Sequence, residues 1–143
     1  MLPSNFALDD VALTAERELF ATHMVTPPQS AMEADRLRAD LVAARPTGYV
    51  VRWSAARPWS RMPGTDLSFA NGIAVSRDGK WLAAAGTFDQ AVLLIERLSG
   101  ASRHLDVGLQ PDNVTPAGAV GFMVASHTGD ACNRHRPVSN NDD

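Results

Sequence analysis

Leu67-Ser68-Phe69-Ala70-Asn71-Gly72-Ile73-Ala74-Val75-Ser76-Arg77-Asp78-Gly79-Lys80-Trp81-Leu82-Ala83-Ala84-Ala85 is the stretch from which the fold is read. Two apolar runs, Ile73 to Ser76 and Lys80 to Ala85, flank Arg77-Asp78-Gly79. Gly79 supplies the positive φ that such a hairpin turn demands. Ala91 to Arg97 continues the pattern as a third strand, and Arg103 to Val107 follows as a weaker fourth. Residues 69 to 107 thus predict four short strands in one compact unit.

The same phrase is written twice more. Asp9-Asp10-Val11-Ala12-Leu13 leads into Leu19-Phe20-Ala21-Thr22-His23, and Asp112-Asn113-Val114-Thr115 leads into Phe122-Met123-Val124-Ala125-Ser126-His127. Each copy opens with a small polar pair, continues as an apolar stretch, turns, and closes on a second apolar stretch. Asp112 follows Asn71 by 41 residues; Asn71 follows Asp9 by 62, the excess matching an insertion from Thr26 to Pro46. A period of roughly 40 to 50 residues built from short strands marks the blades of a propeller. The expected fold is therefore all-β, with about three blades, where a closed ring needs at least about four.

Residues 8 to 25 read as a hairpin and Gly48 to Trp53 as a strand of alternating β-branched and aromatic residues. Within the insertion, Ser30 and Glu33 form a capping box that opens a helix over about 30–45, ended by Pro46. Met32, Leu37, Leu41 and Ala44 give it a loose apolar stripe. Ala55 to Pro63, with two prolines, reads as loop. The third unit is expected to begin at Val114, with its second strand over Val120 to Ala125. The domain reading is a partial propeller over 1–129 and a polar, disordered tail over 130–143.

Composition bounds the function. With 143 residues, 45% hydrophobic and 20% charged, the chain suits one soluble domain. A net charge of −3 argues against nucleic acid as a partner. The excess of Arg over Lys, with Lys80 alone, reads as genomic bias. No stretch approaches the ~20 apolar residues of a membrane span, and no secretory signal is visible. Cys132, the one cysteine, fits a cytoplasmic location.

Chemistry points to the polar pairs. Asp9, Asn71 and Asp112 hold the same place in each copy, and equivalent positions of successive blades converge on the channel mouth. Three oxygen donors there suit a hard cation such as calcium. The competing reading is an Asx-turn at each strand entry. His23 and His127 close the first and third copies, either as proton carriers or as strand-end residues bonded to backbone or solvent. His127, Asp130, Cys132 and His135 match no metal motif, and their proximity reads as chance. His104 has no evident partner. Ser4, Ser54 and Ser60 lie in no nucleophile elbow, and no phosphate loop is present.

The Phe69-Ala70-Asn71-Gly72-Ile73 run followed by Ser76-Arg77-Asp78-Gly79-Lys80 resembles a blade of the gluconolactonase/regucalcin and paraoxonase superfamily, whose fold strictosidine-synthase-like proteins share. Pro111-Asp112-Asn113-Val114 with Ala125-Ser126-His127 supports it, and Leu8-Asp9-Asp10-Val11 resembles the preceding blade. The resemblance implies a partial six-bladed β-propeller and a calcium-dependent lactonase or esterase, in which the ion polarises a lactone or ester carbonyl. It implies that Asn71 and Asp112 are metal ligands, with Asp112 also the catalytic base, and that Asn113 is a further ligand. Asp9 falls where a ligand Asn is usual. The insertion helix falls where paraoxonase-like proteins carry a lid. The acidic ligand of the first blade, the paraoxonase His pair and the closing blades are missing, so the isolated chain is expected to be inactive and its substrate is not readable. Two alternatives accompany this: a binding scaffold completed by self-association through open sheet edges, two chains giving six blades, and the remnant of a broken gene.

Overall fold

The computed structural model describes residues 6–119 and 121–128. Ten strands and one helix follow one another: β1 Leu8–Leu13, β2 Leu19–His23, α1 Ala31–Val42, β3 Tyr49–Ser54, β4 Arg57–Arg61, β5 Ala70–Val75, β6 Trp81–Gly86, β7 Ala91–Glu96, β8 Ser102–Asp106, β9 Gln110–Ala117 and β10 Gly121–His127. They form three antiparallel sheets: β1-β2-β3-β4, β5-β6-β7-β8 and β9-β10. None of the three closes on itself, and the fold is all-β with one inserted helix. The first strands lie side by side, β1 next to β5 and β5 next to β9.

Period-two alternation divides the core into two layers. Ala12, Phe20, Val50 and Met62 of the first sheet pack against Ile73, Leu82, Ala84, Leu93 and Ile95 of the second. The opposite face of the second sheet (Ala74, Ala83, Ala85, Val92) packs against Val114, Phe122 and Val124 of β9-β10. Being buried on both faces, β6 and β7 read as nearly continuous apolar runs. The run of alanines at 83–85 lets the neighbouring layers come close.

Local chemistry explains the turns. Asp78 accepts bonds from the Ser76 hydroxyl (2.6 Å) and the Lys80 N–H (3.1 Å), and Gly79 takes φ 71°. These two bonds hold the Asp78 carboxyl below its usual range. Ser30 caps α1 by accepting from the Glu33 N–H at 3.2 Å, while Glu33 accepts from the Gln29 N–H at 2.7 Å. At the end of the sheets away from the polar pairs, Arg97 binds Glu16 at 3.2 Å and Glu18 at 2.7 Å and donates to the Gly79 carbonyl at 2.6 Å. That one side chain ties the β1–β2 turn to the β5–β6 turn.

The structure corrects four expectations. Residues 57–61 form strand β4, not loop; Pro58 is tolerated because β4 is an edge strand and need not donate on its open side. The third unit starts at Gln110, not Val114. The helix ends at Val42, before Pro46, and buries no residue; Met32 is 78% exposed. The polar pairs lie inside their strands, not ahead of them. The expected disordered tail over 130–143 lies outside the described residues.

Candidate functional site

Each polar pair is a β-bulge. In the first sheet Leu8 pairs with His23 and Val11 with Ala21, so Asp9 and Asp10 stand opposite Thr22 alone. In the second, Ala70 pairs with Gly86 and Ile73 with Ala84, so Asn71 and Gly72 face Ala85. In the third, Pro111 pairs with Ser126 and Val114 with Val124, so Asp112 and Asn113 face Ala125. Two residues oppose one in all three, at the same step of three neighbouring strands. Such a bulge bends the strand and re-aims its side chains, a device common beside active sites.

The bulges touch one another. Asp10 accepts from the Ile73 N–H at 2.9 Å, crossing from β1 to β5, and from its own neighbour Val11 at 2.7 Å. Gly72 lies against β9: a Cβ there would meet the Asp112 carbonyl at 2.5 Å, the Asn113 Cα at 2.7 Å and the Val114 nitrogen at 2.8 Å. All three are backbone atoms, so any side chain at Gly72 forces β5 and β9 apart. Asn71 is buried; its amide donates to the Thr87 hydroxyl at 3.2 Å, and that hydroxyl donates to the Pro111 carbonyl at 2.8 Å. No described residue bonds the Asn71 Oδ1 oxygen.

Electrostatics draw the outer two pairs together. Burial raises the Asp9 carboxyl above its usual range, and the negative charges of Asp10 and then Asp112 raise it further. Like charge is therefore spread from β1 to β9 at this end of the sheets. Asp112 Oδ2 lies 3.0 Å from His127 Nε2 and 3.4 Å from the Asn113 amide. The Phe69 backbone adopts φ 60°, uncommon for an aromatic residue, and its ring meets Phe88 edge-on at 5.5 Å beside Asn71 and Thr87.

Sequence reasoning treated His23 and His127 as equivalent; the register separates them. His23 pairs with Leu8, as Ser126 does with Pro111, so His127 stands one residue further along. One step in a strand reverses the side-chain direction. His23 is accordingly 2% exposed, stacked on Phe6 at 4.0 Å and beside Tyr49 at 4.8 Å, away from the acidic mouth. His127 is the partner of Asp112. The position matching His127 in the second sheet is Thr87, and each contacts the first residue of its bulge. Thr87 and Asp10 were missed, although Thr87 ends the second copy as His127 ends the third.

Among the described residues, no three of Asp, Glu, His and Cys lie close enough to hold a metal ion by themselves. Asp9, Asn71, Asp112 and Asn113 offer a mixed set of carboxylate and amide oxygens instead. Asp130, Cys132 and His135 lie outside the described residues. Among the described helices, none is long and apolar enough to cross a membrane. No protein-family model matches the chain, and no curated protein matches it.

Proposed function

We propose that the chain is part of a six-bladed β-propeller hydrolase, its three sheets being successive blades and its bulged pairs lining the mouth of the central channel. A divalent cation, calcium, is held there by Asp9, Asn71 Oδ1 and Asp112, with Asn113 beside them. The observation that carries this reading is the threefold bulge: three oxygen-bearing residues at one register step of three adjacent strands. Hard cations accept such mixed oxygen sets with loose geometry. The donor set fits the ion in part, since calcium takes about 6–8 oxygens and this mouth offers fewer.

When bound, the cation polarises the carbonyl of a lactone or ester. Asp112 would take a proton from the water as it adds to the carbonyl, and His127, 64% exposed and 3.0 Å from the carboxylate, would relay that proton to the alkoxide released when the acyl C–O bond breaks. Phe69 and Phe88 form an apolar wall beside Asn71 for the substrate's hydrocarbon part. Three blades leave the mouth half built, so the isolated chain is expected to bind the cation without turning over substrate.

Calcium titration by calorimetry tests this, with Asn71→Ala and Asp112→Ala expected to abolish the heat of the wild type. Equal heats from all three proteins would remove the cation site. Asp9→Asn sharpens the test. The folded state raises the Asp9 pKa, so ionised Asp9 opposes folding at neutral pH. The variant should melt above the wild type in EDTA and gain less from added calcium.

A further inference from the structure

The ladder pairings align the first two sheets residue by residue. Val11, Leu13, Leu19, Ala21, Val51 and Trp53 occupy the positions of Ile73, Val75, Leu82, Ala84, Leu93 and Ile95. In the second sheet that set is the buried layer against the first sheet, with Ile73 at 3% and Leu82 at 0% exposure. Among the described residues, no sheet covers the equivalent face of the first sheet. Ala21 and Val51 are buried at its centre, but on β1 Val11 is 58% exposed and Leu13 63%. An apolar set with sheet-packing register is left open to water.

The other end of the stack is open in the complementary sense. Thr115 pairs with Met123 as Ala12 pairs with Phe20. Phe20 is the large side chain that the first sheet presents to the second, and it is fully buried. Met123, at the same register position, points away from the second sheet and is 61% exposed. Among the described residues, the stack thus shows the acceptor face of a sheet-to-sheet junction on one side and the donor face on the other.

We propose that the occupant of the Val11–Leu13 face is β9-β10 of a second copy of this chain, and reciprocally, giving a two-fold dimer of six sheets. The proposal rests on the propeller reading above. Three arguments favour a second copy. Both faces belong to this chain, and both repeat the register of a junction that it already makes internally. The two-stranded β9-β10 covers two strands, and the exposed apolar residues Leu8, Val11 and Leu13 all lie on β1. Toward β3 and β4 the same face is filled by Trp53 against Trp59 and by Arg61 stacked over Tyr49. Two such contacts related by one two-fold axis close, so the assembly stops at two chains.

Sedimentation velocity of the full chain in EDTA, across a hundredfold concentration range, tests the assembly apart from cation binding. The expected result is twice the chain mass, reduced to the monomer mass by Leu13→Glu and by Met123→Glu. Both side chains are exposed, so both variants should keep the wild-type circular dichroism spectrum. An equimolar mixture of the double variant Val11→Lys, Leu13→Lys with Met123→Glu should recover part of the dimer, because one of its two junctions then faces opposite charges. A wild-type monomer throughout the range would overturn the proposal, as would a dimer indifferent to both single variants. A dimer that gives no calcium heat would overturn the hydrolase reading and leave this one standing.

Discussion

The first and second sheets have the same hydrogen-bond register and opposite situations. Leu82 and Leu19 are equivalent residues, yet Leu82 is fully buried between two layers and Leu19 is only half-buried. The second sheet is made by its neighbours: with a layer on each face, its two central strands carry mostly alanine and aliphatic residues. The first sheet has a layer on one face, and its strands alternate more openly between apolar and polar residues. Burial here follows from place in the stack, not from the pairing within a sheet.

That contrast is broken most strongly by truncating matched positions. Leu82→Ala should cost about 3 kcal/mol, from lost burial plus the cavity left behind, whereas Leu19→Ala should cost about 1 kcal/mol. Urea unfolding of both variants measures the gap, and equal losses would mean that the two faces are equally covered. Next in size is the tie between the sheets. Arg97 is 11% exposed and serves two glutamates of the first sheet's turn from the second sheet. Arg97→Ala should cost about 2 kcal/mol, since it leaves Glu18 partly buried without a partner. Arg45→Ala, which removes an exposed pair with Asp40, should be close to neutral by the same assay.

A further effect belongs to His23, which the second sheet replaces with Gly86. Burial lowers the His23 pKa, against a smaller opposing effect from the Ala7 backbone. A base whose folded pKa lies below its unfolded value binds fewer protons when folded, so stability rises with pH across that interval. The wild type should lose stability as the pH falls from neutral through the unfolded-state value of about 6.5 and below. His23→Gln should flatten that loss, read from melting temperatures between pH 7.5 and 5.

Much of this was legible in the letters. The four strands of the second sheet announced themselves because an unbroken apolar run, a glycine turn and another run leave few alternatives. The helix was visible from Ser30 and Glu33: Ser30 accepts from the Glu33 N–H as a capping box requires, while Glu33 reaches one residue past the cap, to the Gln29 N–H. The threefold recurrence of small polar pairs led to Asp9, Asn71 and Asp112, and these do stand at equivalent places. What could not be read was register. Whether Asp9 precedes a strand or bulges within it depends on which residue lies opposite, and that residue belongs to another strand. The same blindness merged His23 with His127 and hid Thr87. β4 was missed because Pro58 is forbidden only in a strand paired on both sides, and its edge position is a property of the assembled sheet.

Gly72 shows how tightly the polar pairs are bound to the architecture. Because two residues there answer one on β6, Ala70 and Ile73 are three apart yet pair with Gly86 and Ala84, two apart, and both face the first sheet. Deleting either member would restore a regular ladder and remove the bend while leaving those faces as they are. The extra residue sets the bend, and the missing side chain at Gly72 sets how near β9 can lie.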